Sequence, residues 1–210
     1  MTTYSKLTLS LIAVWFIAAL AAAGMHWIET PPNVPALHLA IAVLLPLVLF
    51  AGWYALSPSF RNFCMGLDRG VLTMIHTLRV EGFVFLVLCT YHILPGAFAR
   101  PAGWGDIFIG LTAPFVAFYW SDSTHKAAFV VWQTLGVLDL VTALTLGSTV
   151  GLLHPEGIQT GAMTVLPMSL IPTFGVPLFL ILHFICLVQS FRNVAYSQVK
   201  TLPSLAASRS

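Results

Sequence analysis

The stretch HTLRVEGFVFLVL, His76 to Leu88, places Arg79 and Glu81 two residues apart inside a run otherwise apolar enough to cross a membrane. An ionised side chain turned to lipid at mid-bilayer costs at least ~2.5–3.5 kcal/mol on insertion scales. Both groups therefore demand neighbours, and the neighbours decide the chemistry: a structural ion pair, a site for an anion, or a proton-exchanging acid. Asp139, in WQTLGVLDLVTALTLG, is the counter-charge at the right depth for Arg79. Measured along their helices, Arg79 lies roughly 14 Å in and Asp139 about 20 Å in, an offset of about one turn. Glu81 has no basic neighbour at its own level, since His92 is about three turns further on. Together Arg79, Glu81, Asp139 and His183 are expected to form a buried polar cluster, with Glu81 or His183 as the proton-linked member.

Asp106, in RPAGWGDIFIG, reads as the N-terminal cap of a fourth helix, where a carboxylate meets free N–H groups and the positive dipole end. Alternatively it builds an outer-mouth site with His92, Arg100 and Glu29. Of seven histidines, His26, His38 and His92 fall near one face, His76 and His183 in the opposite third, His125 at that opposite edge, and His154 in a loop. Paired imidazoles can hold a b-type haem. His76 and His92 are rotated apart by about 160° on one helix, which leaves a single candidate pair, His76 with His183. Gly103, Gly105 and Gly110 suit close approach of helix backbones. Pro167, Pro172 and Pro177 recur at steps of five in LPMSLIPTFGVPLFLILHFICL, so the first half of that helix should be kinked or partly unwound. The chain has no HExxH, GxSxG or Walker loop. Three dispersed cysteines without a CxxC make a zinc site or disulfide framework unsupported.

The elements that must position these residues follow from composition. Charged residues are only 8% of the chain and hydrophobic ones 58%, whereas a soluble domain needs about a quarter charged. Lipid has to be the solvent. Six apolar runs are long enough to span, over about 7–28, 36–56, 70–94, 104–120, 125–147 and 166–191, leaving 192–210 as a loose tail. Residues 57–69 form a surface segment between spans. The predicted fold is a single all-α polytopic bundle, its third helix central because polar groups lie on both sides. Lys6, Arg61, Arg69, Lys126, Arg192, Lys200 and Arg209 gather on one side and only Arg100 on the other, so both termini are placed in the cytoplasm. The opening run, ending in AALAAAG, also admits reading as a cleaved signal peptide. A net charge of +2 without a basic run excludes a nucleic-acid partner.

The blocks RVEGFVFL, LPGAFARPAGWGD, LGVLDLVTALTLG and LPMSLIPTFGVPLFLILH lie between Arg79 and His183, a stretch of roughly half the chain, and resemble a group of bacterial multi-pass membrane proteins without an established activity. The resemblance implies a six-helix protein of the bacterial inner membrane and gives no residue a catalytic role. The residues themselves favour a binding or permeation module for a small solute, ion or proton, without a cofactor. The alternatives are a redox subunit with one haem b on His76 and His183, or a non-catalytic scaffold. The partner expected throughout is the lipid bilayer, with a second copy or a membrane subunit as possible company.

Overall fold

The computed structural model describes residues 3–31, 34, 36–122 and 124–201, of which 193–201 are described by backbone alone. Among the described residues there are helices and turns and no strand. Six helices are long and apolar enough to cross a membrane: Thr3–Gly24, Leu37–Leu56, Arg69–Thr90, Gly96–Tyr119, Lys126–Leu153 and Ile171–Arg192. Helix is the form such segments must take, because lipid cannot satisfy free backbone N–H and C=O groups. The first two spans, α1 (Thr3–Gly24) and α2 (Leu37–Leu56), form the rim, with most of their Leu, Ile and Val side chains exposed. That much open apolar surface would be a liability in water and is ordinary against lipid.

A short helix, α3 (Pro58–Met65), follows α2, capped by Ser57, whose hydroxyl accepts from the Phe60 N–H at 3.2 Å. Phe60 stacks on Trp53 with ring centroids 3.8 Å apart, which folds α3 back on α2. The third span is composite. It opens as α4 (Arg69–Ile75), narrows to a 3-10 helix over His76–Gly82, and resumes as α5 (Phe83–Thr90). The fourth span, α6 (Gly96–Tyr119), starts eight residues before the expected 104 and absorbs Arg100 and Pro101 into helix. The fifth, α7 (Lys126–Leu153), runs past the expected 147.

The sixth span begins with a π-helical turn over Ile171–Gly175 and continues as α8 (Val176–Thr201). The loosening expected from its prolines is therefore present, and its cost is met by a neighbour. Pro177 deprives the Thr173 carbonyl of its helical donor, and the Trp15 indole N–H donates to that oxygen at 3.2 Å. Phe174 sits against both Trp15 and Phe16, so this turn is where α1 meets the bundle. The expected loose tail is corrected in part: α8 carries on through Thr201, and 202–210 lie outside the described residues.

Within the bundle the fourth and sixth spans are the most enclosed, with 44% and 50% of their apolar windows buried against 33% for the third. The expectation of a central third helix is thus corrected. One file of the third span is buried and its opposite side stays open, because the polar groups do not all face the same neighbours. The third and fourth spans approach backbone to backbone. A Cβ on Gly103 would lie 2.9 Å from the Gly82 carbonyl oxygen, and one on Gly110 would lie 2.8 Å from Val80 Cγ2. Apolar side chains gain little by leaving lipid for another helix, so close contact of this kind, with hydrogen bonds, has to hold the spans together.

Candidate functional site

The 3-10 segment decides where the polar groups point. An α-helix advances 3.6 residues per turn, but a 3-10 helix advances three, so residues three apart stand in line. His76, Arg79 and Gly82 are all buried in that segment, and the file extends to Thr73 below and Phe85 above. Glu81 is two residues on from Arg79, about 120° off this file. It is exposed and makes no hydrogen bond or ion pair among the described residues. Its carboxylate lies beside the π turn, where a Cβ on Gly175 would sit 3.9 Å from Glu81 Oε1. Membership of Glu81 in the buried cluster is corrected accordingly.

Arg79 is the centre. Its side chain is wholly buried and every nitrogen is engaged. Nε donates to Asp106 Oδ1 at 2.7 Å, and Nη2 to Asp139 Oδ2. Nη1 donates to the Gly136 carbonyl and to His183 Nε2, both at 3.3 Å. The His183 ring turns its other nitrogen, Nδ1, to Gln133 Oε1 at 2.5 Å. Since an amide oxygen only accepts and a guanidinium only donates, His183 here carries its proton on Nδ1 and accepts at Nε2. Gln133 Nε2 in turn donates to Thr73 Oγ1 at 3.2 Å. Thr73, His183 and Gln133 have no exposed surface.

Small residues make this geometry available. A Cβ on Gly105 would run into the Asp139 carboxylate, and one on Gly136 into the His183 ring. A Cβ on Gly82 would meet the Asp106 side chain. Four spans therefore close around one guanidinium with a short acid from α6, a short acid from α7 and an imidazole from α8. Two carboxylates face one guanidinium, and among the described residues the other titratable side chains packed at the centre are the His183 and His76 rings. Ionised throughout, with neutral imidazoles, the cluster would hold one negative charge in excess. The carboxylates are also its most open members, with side chains 11% and 15% exposed.

His76 lies on His183 with ring centroids 3.9 Å apart and planes 23° from parallel. Trp132 and Phe179 flank it, and neither of its nitrogens has a partner among the described residues. Axial ligation of one haem needs two imidazoles on opposite faces of a porphyrin. Rings stacked face to face leave no space for the macrocycle, and both His183 nitrogens are already committed. The residues do not fit that group. Among the described residues, no cluster of His, Cys, Asp and Glu has the make-up of a metal site.

The outer-mouth grouping is corrected as well. Asp106 lies inside α6, about 15 Å from its start, rather than at its cap. His92, at φ 55° after α5, and Arg100 on α6 are exposed and bond to neither Asp106 nor each other. Glu29 pairs instead with His26 at 2.5 Å. Arg79 does pair with Asp139, and His183 lies beside it. Sequence reasoning missed Asp106, Gln133, Thr73 and the Gly136 carbonyl as members. The recurrence of Thr73, His76, Arg79, Gly82 and Phe85 at intervals of three was a signal that could have found the file.

A family model described as Domain of unknown function (DUF8737) matches residues 34–191, which is 158 of the 210 residues and takes in five of the six spans. No curated protein matches the chain, and no solved structure does.

Proposed function

This chain belongs to the DUF8737 family, and we propose that it is a membrane module that binds a proton or small cation at the Arg79–Asp106–Asp139 centre and passes it across the bilayer. The observation that carries this reading is the two-to-one ratio of buried carboxylates to guanidinium. A surplus charge in a low-dielectric interior is costly unless a cation or proton neutralises it. Arg79 cannot release its own protons, so exchange falls to the two acids, which are also the partly accessible members. Arg79 then acts as a fixed positive charge that holds both acids in place and keeps the exchangeable cation loosely bound. His183, Gln133 and Thr73 form a directed chain of hydrogen bonds leading away from the centre. His76, with two unpartnered nitrogens stacked above it, is the next group able to take a proton. The orientation in this reading has both termini in the cytoplasm of a bacterial cell, as the distribution of basic residues favours.

The test is reconstitution in liposomes with an internal pH-sensitive dye and an imposed potential. Wild-type protein should pass protons or a monovalent cation above the protein-free rate. Asp139→Asn, folded by size-exclusion profile, should reduce that rate at least ~10-fold, the scale of losing one essential charged group. Equal rates for wild type, variant and empty vesicles would assign the cluster to architecture alone.

A further inference from the structure

Away from the polar centre, a cavity of ≈ 570 Å³ opens where the third span begins and the fourth and sixth spans end. Alternation of the spans puts these three ends on one face of the membrane. The cavity is lined by Asn62, Asp68, Arg69, Ser121, Gln189 and Arg192 among others, and so is polar at the level where lipid headgroups lie. Its charged residues are Arg69, Arg192 and Asp68, a net charge of one positive. Neither arginine makes a hydrogen bond or ion pair with another described residue; Arg69 only rests its guanidinium 5.6 Å from the Phe129 ring centre. Asp68 spends one oxygen as the cap of α4, accepting from Val71 N–H at 2.8 Å.

Gln189 supplies an independent observation. It is 5% exposed, and its amide nitrogen donates to the carbonyls of Cys64 at 2.9 Å and Leu67 at 2.9 Å, closing the α3 turn onto α8. Those two acceptors fix which way the amide points. Its oxygen is left buried and without a partner among the described residues, and an orphan acceptor of this kind is costly unless a donor reaches it. Two guanidinium groups without an ion-pair partner among the described residues ask for an anion, and Gln189, which lines the same cavity, has an acceptor left over for an N–H or O–H.

We infer that this cavity is a binding site for a phosphate ester that also carries a hydrogen-bond donor, the chemistry of an ethanolamine or glycerol phospholipid headgroup. Arg69 and Arg192 take the phosphate, for which guanidinium is the fitting partner. Gln189 Oε1 takes the ammonium or hydroxyl. A choline headgroup has the phosphate without the donor and is the natural control. The site stands apart from the Arg79 centre and does not depend on its role.

The experiment is native mass spectrometry of the full chain released from detergent with equal amounts of phosphatidylethanolamine, phosphatidylglycerol and phosphatidylcholine. Wild-type protein should retain one ethanolamine or glycerol lipid at least ~5-fold over the choline lipid, and Arg192→Gln should lose that preference. Arg192 is exposed, so this substitution leaves folding intact; Arg69→Gln is the second variant. Inorganic phosphate and glycerol phosphate, added alone, separate the sources. If they displace the lipid at millimolar level, a free phosphate ester also serves as ligand; if they do not, the ligand is the bilayer lipid. Equal retention of all three lipids, or retention unchanged in both arginine variants, overturns the inference.

Discussion

Removing the two acids one at a time and then together tests whether the centre needs two negative charges or one. In Asp106→Asn, Arg79 keeps its pair with Asp139, and the new amide oxygen can still accept from Nε; Asp139→Asn is the mirror case. Each single change swaps one charge-assisted bond for a neutral one and should cost about 1 kcal/mol, within the range for interhelical bonds in membranes. The double variant leaves a wholly buried guanidinium with no anion, and breaking a buried pair this way costs about 3–5 kcal/mol. The sum of the singles is about 2 kcal/mol, so the double should exceed it by about 1–3 kcal/mol, a coupling of the size that neighbouring sites display. By the scaling for domains of this length, the singles shift the melting midpoint by about 2–4 °C and the double by about 6–20 °C. Thermal unfolding in mild detergent, followed by tryptophan fluorescence, reads this directly, because Trp132 lies 5.8 Å from the His183 ring. A double variant no worse than the sum of the singles would refute the reasoning. A single variant as damaged as the double would also refute it, since that acid would then be an irreplaceable ion.

Gly136→Ala drives a methyl group into the His183 ring and should cost about 1–3 kcal/mol as overpacking, whereas Gly161→Ala, with nothing within 4 Å, should leave the melting midpoint unchanged. Burial pushes the Cys64 thiol up to about 11, so at neutral pH it should react with a soluble maleimide far more slowly than the half-buried Cys89, as peptide mass spectrometry would reveal. In the turn before α7, Asp122 Oδ1 accepts from the N–H groups of His125 and Thr124 at 3.2 and 3.0 Å. The His125 amide first, and then the Thr124 amide, holds this carboxyl below its ordinary value. Its contribution is therefore fully present above the ordinary carboxylate range and is lost as pH falls through the lowered value. Asp122→Asn should lower proteolytic protection around this turn at neutral pH and leave it unchanged at pH below that lowered value, which flattens the acid limb.

How much of this was legible in the chain depends on how far each inference had to reach. Apolar runs of about twenty residues fix the number of spans, because only a helix of that length crosses the hydrocarbon core. Depth arithmetic along two helices matched Arg79 to Asp139, since rise per residue is set by the backbone alone. The proline spacing likewise foretold the loosened sixth span, as a missing N–H is a local fact. Asp106 was misjudged because Arg100 and Pro101 look like a loop, yet α6 starts at Gly96 and carries both, which moves the acid about three turns inward.

The sequence by itself determined much of what must be hidden: Arg79, one acid for it in Asp139 and the His183 imidazole within six lipid-soluble helices. Which side chains meet was decided only by tertiary structure. The narrowing of the third span to three residues per turn sends Arg79 inward and Glu81 out, and the close approach of Gly82 to Gly103 on α6 that accompanies it joins residues from different spans. The physical reason is range: helix formation is settled by neighbours in the chain, whereas the facing of a helix is settled by the neighbours that pack against it.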